Sequence, residues 1–287
     1  PIIMIKNNIK KLIKTFLLDP SHAIVIFILR NLRIIDYPVP PNSSMRKTTA
    51  SGNVLRYFTS GIQSYMPIAV LAENYELNLR DGNLNILDFG CGVGRLLLHF
   101  TRNYPNNNYY ACDIDDTSIN FLSKNYTQVK SYTNNYKPPL EYPDAYFDLF
   151  YSVSICSLLN IEDQSYWLKE LARVVKKNGY LFLTTEGKHA VKFWLAEDFH
   201  MNEQLAQEKL SKEGYIFREY DNWKKISNSG NIMRTSSQLV GVNSPYGSMA
   251  LSKNFILENW NKHDLKVIKI LEGIIDTRQD LVILKKI

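Results

Sequence analysis

A chain of 287 residues with 45% hydrophobic residues can bury one full core plus a modest appendage, and it does not require a second independent domain. Its formal charge of +6 comes from dispersed basic residues without an Arg-rich tract, which argues against a nucleic-acid partner. The three cysteines, Cys91, Cys112 and Cys156, are far apart with no C-x-x-C pairing; this argues against a disulfide framework or a metal site and fits a cytoplasmic protein.

The chain opens basic and turns apolar, but no small-residue cleavage site follows Leu29, and the apolar run from Ala23 to Leu29 is too short to span a bilayer. Ile5, Ile9, Leu12, Ile13 and Phe16 recur at helical spacing, with lysines on the other faces, so an amphipathic helix is expected there. Asp19-Pro20-Ser21 breaks it before a second helix. These helices are expected to pack on the main domain or on a second copy in a homodimer, with peripheral membrane contact as the alternative. Residues 1–42, ending in the proline-stiffened YPVPPN, form a helical extension and linker; residues 43–287 form the main domain.

From Asn85 onward strands and helices alternate, the pattern of an α/β domain with a parallel sheet covered on both faces. Strands are predicted at Asn85 to Phe89, Asn108 to Cys112, Gln128 to Tyr132, Phe147 to Ser152, Gly179 to Thr185, Leu265 to Leu271 and Asp280 to Lys285. Helices are predicted at Gly94 to Asn103, Thr117 to Lys124, Glu162 to Lys176 and Lys253 to Lys262. The last two strands are separated only by Glu272 to Gln279, too short for a helical crossover, so they must pair antiparallel. This predicts a seven-stranded Rossmann-like sheet with a reversed final strand. The long stretch 186–245 contains a predicted helix at Glu203 to Glu213 and strand-like segments at Tyr215 to Tyr220 and Ser236 to Val242, and is expected to cover a substrate site as a lid insertion.

The strongest local signal is ILDFGCGVGRLLLHF, Ile86 to Phe100: an apolar strand, then Gly90, Gly92 and Gly94, then a helical pattern. Glycines permit the sharp turn and a close ligand approach, but NAD enzymes also use such turns. Two features shift the balance. Asp113 ends the second strand, where a carboxylate can accept the hydroxyls of an adenosine ribose. Asp88 would repel a pyrophosphate and favour an ammonium. S-adenosylmethionine has that ammonium, an adenosine and no phosphate.

LDFGCGVGR resembles motif I of class I S-adenosylmethionine-dependent methyltransferases, CDID their acidic second motif, FDLFYSVSICSLL their fourth-strand motif, and WLKELARVVKKNGYLFLTTEG their following helix and fifth strand. The preface PVPPNSSMRKTTASG and the closing QDLVILKK are similar to a bacterial small-molecule and glycan-type subgroup, so the resemblance runs from about Pro38 to Lys286. It implies that Asp88, Gly90, Cys91 and Gly92 border the methionyl part, that Asp113 holds the ribose and that Ile114 packs on adenine. It places Asn134 or Asn135 at the adenine amine, Ser152 and Val153 beside the sulfonium, Tyr57 and Gly61 over the cofactor, and Arg46 or Arg95 at its carboxylate; for Arg95 a surface ion pair is an equal alternative.

The subgroup's Thr-His-Leu is Cys156-Ser157-Leu158 here, so the base is sought elsewhere. Glu186, His189 and His200 are the nearest candidates, with His200 favoured as base and Glu186 as orienting carboxylate against a reading of both as polar rim residues. Cys91 is read as a small turn residue and not a nucleophile. The expected function is methyl transfer to a small-molecule acceptor, at the oxygen of a sugar or similar metabolite. The alternatives are a lipid or membrane-bound acceptor, an inactive adenosyl-ligand-binding scaffold and, lowest, an NAD enzyme.

Overall fold

The computed structural model describes residues 37–49, 52–192, 199–220 and 247–287; the two opening helices and the strand-like segment at 236–242 lie outside them. The described chain begins with helices α1, Asn42–Thr49, and α2, Val54–Asn74. The alternating unit follows as β1, Asn85–Phe89; α3, Leu97–Asn103; β2, Asn108–Asp113; α4, Asp116–Asn125; β3, Val129–Thr133; and β4, Phe147–Ser152. After a short 3-10 turn at Cys156–Leu158 come α5, Ile161–Val174, and β5, Val175–Thr185. Then come α6, Glu203–Glu213; β6, Tyr215–Glu219; β7, Gly247–Leu251; α7, Lys253–Asn259; β8, Leu265–Ile275; and β9, Gln279–Lys286.

The main sheet has seven strands in the order β3-β2-β1-β4-β5-β9-β8. The first five are parallel, whereas β9 pairs antiparallel with both β5 and β8. The expected fold class is thus the observed one, with the reversal where the short final connection required it. Each inner strand is apolar on both faces because helices cover both. Ile86, Leu149, Phe182 and Ile283 pack with Phe58, Ile68 and Phe100 from α2 and α3. Their sequence neighbours Leu87, Phe150, Leu183 and Val282 pack on the other side with Trp167, Leu171, Ile256 and Trp260.

Local chemistry sets several boundaries. Asn160 Oδ1 accepts from Asp163 N at 2.9 Å, and Glu162 and Asp163 occupy the first turn of α5, so cap and helix dipole agree on its start. The helix ends at Val174, not Lys176, and β5 starts at Val175, not Gly179. A bulge with Asn178 at φ 67° lets the chain enter the sheet early and still restore the pairing of Leu149 with Tyr180. Helix α3 begins at Leu97 and not Gly94, because Gly94 at φ 81° belongs to the turn before it. Helix α7 stops at Asn259, three residues short of the expected end. Asn42, expected as the last linker residue, opens α1.

The insertion carries α6 and β6 as expected; β7, a strand not predicted from the sequence and lying just past the expected insertion, pairs antiparallel with β6. Phe199, Ala206, Leu210, Ile216 and Ala250 form a small core of their own with Ala190 and Val191. This unit is tied to the end of β5 by a bridge between Glu186 and Ala250 and by the Leu251 N–H donating to Glu186 O at 2.8 Å. Among the described residues no helix is long and apolar enough to cross a membrane.

Candidate functional site

The carboxyl ends of β1, β2 and β4 open onto a cleft. A site in this place follows from topology, since β4 lies on the other side of β1 from β2 and the crossovers diverge there. The glycine turn forms its floor. Gly90 has φ 72°, and a Cβ on it would overlap Ile155 Cδ1, so Ile155 fills the space a side chain would take. Gly92 has φ 51° and lies beneath Thr48 of α1, whose Oγ1 would be 3.0 Å from a Cβ there. Helix α1 therefore closes over the turn, and Lys47 and Thr48 join the lining.

Asp113 ends β2 with both carboxylate oxygens held by the backbone. Gly92 N–H donates to Oδ2 at 2.8 Å and Asp115 N–H donates to Oδ1 at 2.9 Å. Lys47 Nζ lies 3.0 Å from both Asp115 oxygens, and Ser118 Oγ donates to Asp115 Oδ2 at 2.7 Å. Deeper in the cleft, Asp88 is buried and its Oδ2 has no partner among the described residues. Burial lifts its carboxyl from 3.8 to about 8, with Tyr151 and Arg95 pulling it down and Asp113 pushing it up.

The far wall is apolar, made by Ile114, Tyr136, Val153, Ile155, Leu158, Leu159 and Trp167. Tyr136 is fixed by its hydroxyl, which donates to Asp163 Oδ2 at 2.8 Å, and Lys137 pairs with the same buried carboxylate. Asn134 is placed by its N–H donating to Asp113 O at 3.1 Å; its side-chain Oδ1 is buried without a partner among the described residues. Ser154, at φ 65°, is locked to Thr184 and Gln279, which ties the cleft to β5 and β9.

Of the expected cofactor residues, Asp88, Gly90, Cys91, Gly92, Arg95, Asp113, Ile114, Asn134 and Val153 line this cleft. Tyr57 is outside the lining, fully buried with its hydroxyl donating to Val93 O at 3.0 Å. Gly61 packs under Arg95 and His99, where a Cβ would be 2.7 Å from Arg95 O. Ser152 donates to Phe89 O at 2.9 Å and so supports β1 without reaching the cleft. Asn135 and Arg46 are exposed outside the lining. Cys91 lies in the cleft floor, where burial pushes its thiol well above the ordinary range; this suits a turn residue and not a nucleophile.

Neither Glu186 nor His200, the residues expected to act on the acceptor, lines the cleft. Glu186 is buried at the end of β5, while His200 is exposed at φ 54° just before α6. His189 lies in a single helical turn, Lys188–Ala190, and its Nε2 is 3.1 Å from Thr277 O in the last hairpin. Residues that sequence reasoning missed include Lys47, Thr48, Asp115, Ser118 and Tyr136. Asp115 and Ser118 had a signal: Asp115 closes the acidic CDID motif at a helix start, and Ser118 follows it three residues later.

Residues 87–183 match the family model of a methyltransferase domain. The segment coincides with β1 to β5 and thus with the glycine turn, Asp113 and the apolar wall. Among curated proteins, the tRNA N(3)-methylcytidine methyltransferase trm141 of Schizosaccharomyces pombe is 31% identical over 160 residues, covering 51% of this chain and 64% of that one. Solved structures similar to this chain include a methyltransferase from Methanosarcina mazei, with TM-score 0.49 and 16% identity over 71% of this chain and 93% of that one. Another, from Listeria monocytogenes, has TM-score 0.49 and 12% identity over 76% of this chain and 99% of that one.

Proposed function

We propose that this protein is an S-adenosylmethionine-dependent methyltransferase acting on a small-molecule acceptor. The observation that carries the reading is the pairing of Asp113 with the glycine turn. A carboxylate at the end of β2, oriented by the N–H groups of Gly92 and Asp115, suits ribose hydroxyls in a cleft with a methyltransferase-domain match. The unpartnered polar atoms fit the rest of that cofactor. Asn134 Oδ1 is an acceptor suited to the adenine amine, and Asp88 Oδ2 is suited to the methionyl ammonium. Ile114 and Tyr136 offer apolar surface for adenine.

The cofactor, when bound, supplies an electrophilic methyl on a sulfonium. The chain's own contribution is orientation and exclusion of water. Ser154, fixed by Thr184 and Gln279, and Val153 border the sulfonium side, and Ile155, Leu158 and Trp167 keep it dry. Direct displacement gains most from such positioning.

An oxygen acceptor is the first reading. The expected sugar finds no support in the relatives found. A second reading, methylation of a base in RNA, is favoured by the printed activity of the trm141 relative, although this chain spans only 64% of it. The test is incubation with methyl-labelled S-adenosylmethionine and, in parallel, a small-molecule cell extract and unmodified total tRNA. Label in a metabolite supports the first reading, and label in nucleosides replaces it with the second. Binding of S-adenosylhomocysteine with label in neither would favour a non-catalytic scaffold.

A further inference from the structure

The turn of the last hairpin meets the cleft-lining Arg95 in an ion pair. Asp276 lies in the turn between β8 and β9, and its Oδ2 is 3.2 Å from Arg95 Nη1; the two side chains are 15% and 8% exposed. Arg95 follows the glycine turn and lines the cleft. The pair is incomplete on both sides, because Arg95 Nε and Asp276 Oδ1 are buried without a hydrogen-bond partner among the described residues. A third such atom, Asp88 Oδ2, belongs to a residue electrostatically coupled to Arg95.

A half-satisfied buried ion pair is a poor device for stability, since apolar residues of similar volume would serve as well or better. The turn that supplies it is also unusual. Asp276 has φ 50° and Thr277 φ 55°, and a β-branched residue rarely adopts a left-handed backbone. His189 Nε2 holds Thr277 O at 3.1 Å, so the turn is fixed from a second side. Strain kept in place by surrounding contacts is a feature of functional sites.

We propose that Asp276 is a positioning residue for the cofactor's amino-acid end: it fixes one edge of the Arg95 guanidinium so that Arg95 receives the α-carboxylate while Asp88 receives the ammonium. A guanidinium held at one nitrogen keeps its remaining donors oriented, which is what planar recognition of a carboxylate needs. The charges complement each other, with Arg95 and Asp88, both in the cleft lining, matching the carboxylate and the ammonium of a zwitterion. The inference rests on the S-adenosylmethionine reading.

The experiment is calorimetry of wild type, Asp276→Asn and Arg95→Gln with two probes, S-adenosylhomocysteine and 5′-methylthioadenosine, which lacks the amino-acid end. Asparagine tolerates the left-handed turn, so Asp276→Asn removes charge and leaves the backbone in place. The expected result is a loss of about tenfold or more in S-adenosylhomocysteine affinity for Arg95→Gln and about three- to tenfold for Asp276→Asn. Affinity for 5′-methylthioadenosine should stay within about twofold. Equal weakening of both probes in either variant would assign the pair a purely structural role and overturn the proposal, as would no weakening of either. Wild-type protein that binds neither probe would overturn the cofactor reading itself. Thermal melts without ligand identify any variant that fails to fold, and for that residue Asp276→Ser or Arg95→Lys is read in the same two-probe comparison.

Discussion

Gly92 N–H donates to Asp113 Oδ2 at 2.8 Å, so the carboxylate that ends β2 is already turned toward the glycine loop that would meet the ligand. Asp113→Ala removes a charged acceptor and leaves two backbone donors without their partner. S-adenosylhomocysteine binding should weaken by about 1.5–3 kcal/mol, with the fold retained. Calorimetry alongside a ligand-free thermal melt checks it; equal affinity in the variant would take Asp113 out of the site.

The same turn sets a packing constraint. Gly90→Ala places a methyl group where Ile155 Cδ1 lies and keeps a non-glycine residue at φ 72°. The backbone cost is about 1–2 kcal/mol and the crowding about 1–3 kcal/mol. Adding Ile155→Ala should recover the crowding component and leave the backbone component. A double-mutant cycle in urea measures the split, and strictly additive effects would show that Ile155 does not occupy that space.

How much of this was legible in the sequence follows from the range of each interaction. The glycine turn, Asp88 and Asp113 are local: strand, turn and acid sit within one stretch, and their residue types have few other uses together. The alternation after Asn85 and the reversed final hairpin were legible for the same reason, since a short connection leaves only antiparallel pairing. Lys47 and Thr48 were not, because they belong to a helix whose polar sequence shows no reason to cover the turn until the chain is folded. Leu158 and Trp167 show in the sequence only as apolar residues; that a core face also walls a cleft depends on the end of the sheet at which it stops. Asp276 is separated from Arg95 by 181 positions, and no spacing rule connects them. The resemblance put Tyr57 and Ser152 at the cofactor, but their hydroxyls hold the backbone carbonyls of Val93 and Phe89.

Asp88 makes the site sensitive to pH. Its folded-state pKa, raised to about 8 by burial, lies above the unfolded value of 3.8, so the folded state binds the proton more tightly. Its contribution to stability is fully present below 3.8 and is lost as pH rises through about 8. Ligand-free Asp88→Asn should therefore lose less Tm than wild type between about pH 6 and pH 9. An ammonium placed beside Asp88 favours its charged form, so S-adenosylhomocysteine should release a fraction of a proton near pH 7 and bind more tightly as pH rises toward 8. Calorimetry in buffers of different ionisation enthalpy measures this release, and proton uptake would contradict the assignment of the ammonium to Asp88.

The acceptor's proton is a separate question, and it concerns the insertion. An oxygen nucleophile with a high pKa needs a base as the methyl arrives, and a neutral histidine suits that role near pH 7. His200 is exposed on the approach to α6, beside Phe199, which is buried in the insertion's own core, so the backbone beneath His200 is anchored while its imidazole is open to solvent. Its φ of 54° makes alanine an ambiguous substitution, because a loss of activity would combine strain with the missing base. His200→Asn separates the two, since asparagine accepts that backbone and cannot take the proton. If His200 serves as the base, turnover of the acceptor identified by methyl labelling should fall by about a hundredfold, with S-adenosylhomocysteine affinity nearly unchanged. Turnover equal to wild type would remove His200 from the mechanism. It would also make Glu186, buried at the end of β5 beneath the same insertion, the next carboxylate to replace, by glutamine.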